Sequence, residues 1–527
     1  MKNSFFKYVF FIFAIGIIIF AIYKINNKQE KINDTNLETI IEEEEIVTEL
    51  KLGIAEFDNI NPILSGNKYV QDISKIIFNS LVTINEEYKI EPDLATEWAK
   101  TGATEYLIKL RKDVKWSDGT EFTAYDVLYT IDRLKEVQSI YSYNVKYVNE
   151  VSVIDKATVK IKLSQEVPFF EYNLIFPIMS KNYYGNDNFS ETEKNNMPIG
   201  TNMYKISDIQ DGKILLTKNE NWYKSKEEQL AINKITINKY LTIGEMYNAF
   251  KLGQIDLVNT NNMEIEQYIG SIGYGKKEYK GREHTFIAIN MQNEILSKIE
   301  VRQAIKYSIN KEEIISSLYN NKYYKSSFPL DYGNWLNSTT KDEFSTEKAN
   351  KILAENGWEY KYNYWRKTEN YRTIKLNFNL VVKASNYKML EIAEKIKTQL
   401  EAIGIKITIT KANDNQYSAY LGNKNYDIIL CSINQSVTPD LSIYFGENNI
   451  SNYINADSIN IVNELKNITD EKILKEKYGD LTKIYKNETP YISLFNNYSI
   501  VAYNSKLVGN ITPNWYNIFY NINGWHK

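Results

Sequence analysis

Asp93 to Lys135 reads DLATEWAKTGATEYLIKLRKDVKWSDGTEFTAYDVLYTIDRLK, and the fold is decided here. Asp93-Leu94-Ala95 opens a brief helical turn ending near Trp98, and Tyr106 to Leu110 alternates apolar and polar residues like a half-buried strand. Trp116-Ser117-Asp118-Gly119-Thr120 is a turn in which Gly119 is free to take a positive φ. Thr123 then stands at the N-cap of a helix that carries Val127, Leu128, Ile131 and Leu134 on one face. Strand, turn and helix follow one another closely, as in an α/β protein.

The rest of the chain extends that pattern. Its 527 residues exceed one hydrophobic core and predict two or three packed domains. Sixty-three Lys and Arg against 66 Asp and Glu leave a net charge of −3, which gives no electrostatic footprint for nucleic acid. A single cysteine, Cys431, excludes an internal disulfide framework. The 42 tyrosines read first as compositional bias and second as an aromatic binding surface.

At the N-terminus, Val9 to Tyr23 is an unbroken apolar run flanked by Lys2 and Lys7 before it and Lys24 and Lys28 after it. No small-x-small cleavage site follows, and no cysteine follows for lipid attachment. The first reading of residues 1–24 is an uncleaved signal-anchor that leaves the body outside the cell membrane; the second is a cleaved signal peptide. Residues 25–48, with the run Glu42 to Glu45, read as an acidic flexible tether.

In the body, Glu49 to Ile54 alternates as a first strand, and Asp72 to Leu81 carries a helical face of Ile73, Ile76, Ile77 and Leu81. Val151 to Leu163 reads as a hairpin, Ile232 to Leu241 as a strand and Phe286 to Asn290 as a strand crossing towards a second lobe. Val301 to Ser308 is a helix with Ala304, Ile305 and Ser308 inward, and Asn310 caps the next. Tyr387 to Ile403 is a long helix stopped by Gly404, Tyr426 to Leu430 is a buried strand, and Ile492 to Val501 returns as a strand.

Three of these stretches carry more than periodicity. Asp93-Leu94-Ala95, Trp98, Leu110-Arg111, Trp116 to Thr120 and Thr123-Ala124-x-Asp126-Val127 closely resemble the signature of the peptide/nickel family (family 5) of ABC-transporter extracellular solute-binding proteins. Pro198 to Tyr204 is similar to a second landmark of that family, with Asn202-Met203 in place of its usual Gly-Pro. Val301 to Lys311, VRQAIKYSINK, is similar to a third. The resemblance spans roughly 49 to 527. It implies an α/β, two-lobed periplasmic-binding-protein-like (type II) fold with an extra subdomain, about 94–197, inserted in the first lobe. Lobe I is expected over 49–285, lobe II over 286–487, and the C-terminal 488–527 returns to lobe I.

Nothing resembles a catalytic set. The two histidines, His284 and His526, are far apart, and no GxSxG, HExxH or CxxC occurs. Gly270 to Lys277, GSIGYGKK, mimics a phosphate-binding loop but lacks the Ser or Thr that holds magnesium, and reads as a plain glycine-rich loop. The resemblance implies instead a non-enzymatic binding protein; no cofactor or metal is expected, since the nickel or haem ligands known among relatives are disfavoured by having only two histidines. It is expected to act as a monomer that captures a peptide or peptide-like ligand between its lobes and delivers it to ABC permease subunits. The alternative is a membrane-tethered receptor of the same fold that is not coupled to transport.

The same resemblance supplies the expected ligand contacts: Glu56 and Phe57 after the first strand, Tyr141 and Tyr143 after the signature helix, Trp335, the Asn434-Gln435-Ser436 loop, and Phe495 and Asn496 on the returning strand. Peptide-binding members carry an aspartate for the peptide ammonium in a Gly-Trp…Asp stretch; here Ser432-Ile433 and Ser436 stand at those positions. Either the ligand is not an ordinary peptide, or another acid takes the role, with Glu56 and Asp58 as candidates.

Overall fold

Alternation in Glu49–Ala55 builds the first strand, with Leu50, Leu52 and Ile54 buried and the residues between them half-buried. It pairs in parallel with Lys234–Tyr240, and the sheet continues antiparallel through Lys213–Lys218 and Tyr204–Gln210. The computed structural model describes residues 48–527 apart from 211, 263, 269, 271, 272, 339 and 340. The expected anchor at 1–24, and all but the last residue of the expected tether at 25–48, lie outside the described residues. Among the described residues no helix is long and apolar enough to cross a membrane.

The signature stretch forms part of a separate four-stranded antiparallel sheet, ordered Ala95–Gly102, Glu105–Leu110, Thr158–Leu163, Val148–Asp155. Gly119 takes φ +89° in the turn. Thr123 caps the helix Ala124–Glu136 in a capping box, its N–H donated to Asp126 Oδ2 at 2.7 Å. Val127, Ile131 and Leu134 are buried and Leu128 is half-buried. The expected helical turn at Asp93 to Trp98 is instead extended chain. Asp93 accepts from Asn79 Nδ2 at 2.8 Å and from the Ser80 N–H at 3.2 Å, and Ala95 and Trp98 pair with Leu110 and Ile108. Ladder bonds to the next strand outweigh a single helical turn, which is costly to nucleate alone. The first helix also differs from expectation. It runs Lys68–Ile77 and stops before Leu81, because Phe78 turns extended and Asn79 and Ser80 are committed to Asp93.

The second large sheet has the order Leu257–Thr260, Tyr491–Asn504, Tyr274–Ile289, Ile428–Asn434, Asn377–Lys383, Lys406–Ala412. The last three strands run parallel, and the helix Tyr387–Ala402 connects two of them. The expected strand at Phe286 to Asn290 is thus only the end of a 16-residue strand, and Tyr274 to Lys277 of the glycine-rich stretch belong to its start. Charged residues from Lys276 to Glu283 hide this strand from an apolar-run reading.

The antiparallel pair Tyr274–Ile289 and Tyr491–Asn504 gives Phe286, Ala288, Tyr491 and Val501 to the largest core and also serves two smaller ones. Ile287, Ile289, Ile492, Leu494 and Phe495 pack with Val301, Ile305, Leu380 and Leu430. At the other end of the same pair, Tyr498, Ile500 and Ala502 pack with Met246, Phe250 and Val258. Between these two smaller cores the register slips: Lys280 faces Tyr498, but His284 faces Asn496, so Gly281, Arg282 and Glu283 oppose Asn497 alone. This bulge is closed by Asn497 Oδ1, which accepts the Glu283 N–H at 3.0 Å. A Cβ on Gly281 would fall 2.1 Å from that same oxygen. Gly281→Ala is therefore expected to break this bond and cost about 1–2 kcal/mol of stability, read as a lower urea midpoint.

His284, next to the bulge, is fully buried, with Nδ1 at 2.9 Å from the Tyr444 hydroxyl and Nε2 at 3.2 Å from Ser493 Oγ. Burial, and then the charge of Lys311, lowers its pKa to about 3. A histidine depressed in the folded state stabilises fully above its unfolded pKa of about 6.5, and that contribution is lost as the pH falls towards the folded value. Between pH 6 and pH 4 the wild type is expected to lose about 1.4 kcal/mol per pH unit more than His284→Gln, measured by urea unfolding at each pH.

Candidate ligand-binding site

The bulge positions a set of polar groups where the strand Ile428–Asn434 ends. The Gln435 N–H donates to the Arg282 carbonyl at 2.8 Å, and its side-chain amide donates to the Pro329 carbonyl. Asn496 Nδ2 lies 3.4 Å from the Glu283 carbonyl and 3.5 Å from Gln435 Oε1, so Gln435 and Asn496 meet. Asn434 is an exposed strand residue paired with Glu283 rather than part of the loop. Ser436 is exposed, its hydroxyl 2.6 Å from Thr438 Oγ1. Neither Glu56 nor Asp58 is hydrogen-bonded to it. Asp58 is bonded within its own loop, to Ser65 Oγ at 2.6 Å and to the Asn59 N–H at 2.7 Å.

A wall of aromatic rings adjoins these groups. Trp515 stacks on Tyr88 with centroids 5.2 Å apart, and Tyr332 meets Tyr88 edge-on at 4.9 Å. The Arg282 guanidinium lies 5.8 Å from the Trp515 ring centroid. Tyr516, the next residue, lies under Lys75 Nζ at 3.8 Å. Lys75 belongs to the helix Lys68–Ile77, whose Gln71 accepts the Tyr141 hydroxyl at 2.7 Å. Burial opposes the Lys75 charge, but Tyr516, Tyr141 and Asp72 outweigh it and raise the pKa. Asp72 accepts from Asn259 at 2.8 Å and is pushed up by burial despite Lys68.

The remaining expected contacts fall elsewhere. Trp335 is joined to the first lobe, its N–H donating to the Glu87 carbonyl at 2.9 Å and its indole to the Tyr172 hydroxyl at 3.3 Å. Phe495 is fully buried between Tyr319 and Tyr323, 5.6 and 5.5 Å away, and so is a core residue. Tyr143 is 66% exposed, and Phe57 lies under Lys239 at 4.3 Å. Glu56 is exposed at φ +54°. Arg282, Trp515, Tyr516, Tyr88 and Lys75 are the residues that sequence reasoning misses. They come from a charged strand, an aperiodic C-terminal segment and the polar face of a helix, where no pattern singles them out.

Burial pushes the Cys431 thiol up to about 12, which keeps it protonated at neutral pH. Among the described residues no group of three His, Cys, Asp or Glu side chains is placed to hold a metal ion.

Residues 89–452 match the model of bacterial extracellular solute-binding proteins, family 5. The chain belongs to this family. The oligopeptide-binding protein AppA of Bacillus subtilis is 23% identical over 476 residues, 84% of each chain. Among solved structures, this family 5 chain is similar to a nickel ABC transporter protein of Bacillus halodurans, at TM-score 0.76, 19% identity and coverage of 89% of this chain and 98% of that one. It is also similar to the periplasmic murein tripeptide-binding protein MppA in its unliganded open form, at TM-score 0.78, 18% identity and coverage of 91% and 97%. The fold is therefore the two-lobed family 5 architecture. The relatives are named as binding proteins for oligopeptides, a murein tripeptide, heme or nickel.

The Lys75 contact tests the wall. Lys75→Met keeps the stem and removes the charge, and is expected to lower stability by about 1 kcal/mol through the Tyr516 face, measured by urea denaturation.

Proposed function

We propose that this family 5 protein captures a peptide or peptide-like ligand between its two lobes and hands it to an ABC permease. The observation that carries this reading is the junction at the bulge. There a strand end (Asn434), a polar pair (Gln435 and Asn496) and a stack of aromatic rings (Tyr88, Tyr332 and Trp515) adjoin strands shared by both smaller cores. Backbone groups at a strand end hold an extended main chain, while rings and amides accept varied side chains. The names of relatives support the class, since AppA is described as oligopeptide-binding and MppA as binding a murein tripeptide.

In this reading lobe I comprises 49–285 with the return at 488–527, and lobe II comprises 286–487. The boundary then falls within the long strand Tyr274–Ile289. The protein works as a monomer, held at the cell membrane by residues 1–24 with its body outside. Binding proceeds by closure of the lobes about their crossing strands, without covalent chemistry.

The composition of the 434–440 loop gives a sharp test. Ser436 offers a hydroxyl, and the nearby Asp440 is bonded to the Ser442 N–H at 2.9 Å. No carboxylate among the described residues is hydrogen-bonded to Ser436, so a free peptide ammonium gains no counter-charge there. Peptides with free and N-acetylated amino ends are expected to bind with equal affinity in calorimetric titration. A loss of about tenfold or more on acetylation overturns this reading of the loop.

A further inference from the structure

Arg282 has no opposite charge beside it. Its neighbours on the strand are committed: Lys280 Nζ lies 3.3 Å from Asp331 Oδ1, and Glu283 accepts Ser432 Oγ at 2.5 Å. Among the described residues no carboxylate pairs with the Arg282 guanidinium. The side chain is exposed, yet desolvation lowers its pKa and no neighbouring charge contributes. The nearest aromatic ring is that of Trp515, with its centroid 5.8 Å from the guanidinium carbon. The adjoining ring adds a donor, because Trp515 Nε1 is buried with no partner among the described residues. The next residue along, Asn514, also leaves its Nδ2 buried and unpartnered.

Two unpartnered donors and an unpaired cation therefore lie along these segments. A guanidinium presents a planar fork that fits carboxylate and phosphate oxygens, and stacking on an indole restricts its orientation before anything binds. The Gly281–Glu283 bulge is what gives Arg282 its place beside Trp515, since the strand partner Asn497 leaves that residue unpaired in the ladder.

We propose that Arg282, with the Trp515 indole N–H, forms a subsite for an oxyanion of the ligand, a carboxylate or a phosphate group. The subsite lies beside Gln435, whose N–H is bonded to the Arg282 carbonyl, so it deepens the reading given above and rests on it. The ligand is thereby selected by its negative end, while the neutral Ser436 loop ignores a positive one.

The test uses the full chain in detergent, immobilised and offered a tryptic casein digest before and after methyl esterification, which removes every carboxylate charge. The wild type is expected to retain the untreated digest and to lose about tenfold or more on esterification. Arg282→Gln, checked for an unaltered urea midpoint, retains the two alike, and Arg282→Lys recovers part of the preference. A wild type indifferent to esterification, or an Arg282→Gln variant with the full acid preference, overturns the proposal. If the wild type retains neither digest, the peptide reading fails, and millimolar inorganic phosphate then decides the subsite. A rise in Tm for the wild type that Arg282→Gln lacks supports a phosphate-bearing ligand, and equal behaviour of the two overturns the subsite.

Discussion

Two long antiparallel strands, Tyr274–Ile289 and Tyr491–Asn504, are the constraint on which the rest depends. Each is longer than one lobe requires, and each carries apolar side chains at its ends into different cores. Both strands belong to one sheet, and the largest core takes side chains from both sides of the irregularity between them. The slip at Gly281–Glu283 is that irregularity: hydrogen bonding continues on both sides of it, while one short segment is held by the Asn497 side chain. A local interruption with few ladder bonds is where bending costs least.

That interruption also accounts for the position of the site. A regular ladder would commit the backbone of residues 281–283 to its neighbour. The bulge frees it, and the Arg282 carbonyl is used to fix Gln435 while the Arg282 side chain meets Trp515. The same backbone irregularity that separates the smaller cores thus gathers groups from the crossing strand, the end of the Ile428–Asn434 strand and the C-terminal segment. Three separate chain segments therefore meet at one irregular point of the ladder.

Much of the fold is legible in the sequence, because the elements that define it satisfy local rules. The Thr123 capping box, the turn at Gly119 and the Asn310 cap all form where residue chemistry alone places them. The failures are those of non-local pairing. Asp93 to Trp98 looks helical in isolation but is claimed by a ladder with Glu105–Leu110. The first half of the crossing strand is dense in Lys and Glu, and its strand character comes from its partner at 498–504. In the site, Gln435 and Asn496 are found together, whereas Phe495 is fully buried in the core. Trp515 and Tyr516 lie in a segment without period, and only tertiary packing shows which rings they meet.

The polar economy of the site follows from the same logic. Asn496 Oδ1 and Trp515 Nε1 are buried without partners among the described residues, and an orphaned buried donor or acceptor costs about 1–3 kcal/mol. Elsewhere in the molecule comparable groups are satisfied: Arg302 is spent on the carbonyls of Leu296, Ser297, Glu488 and Thr489, and Lys311 on Asp342 and the Ser326 carbonyl. Arg302 is buried as a structural brace, whereas Arg282 is neither braced nor neutralised. Orphaned atoms occur elsewhere too, at Ser451, Tyr453 and Tyr491 among others, but none of those stands beside an unpaired guanidinium. Unpaired groups beside a bulge that both smaller cores share are a standing cost, of a size that a ligand supplying the missing partners offsets on binding.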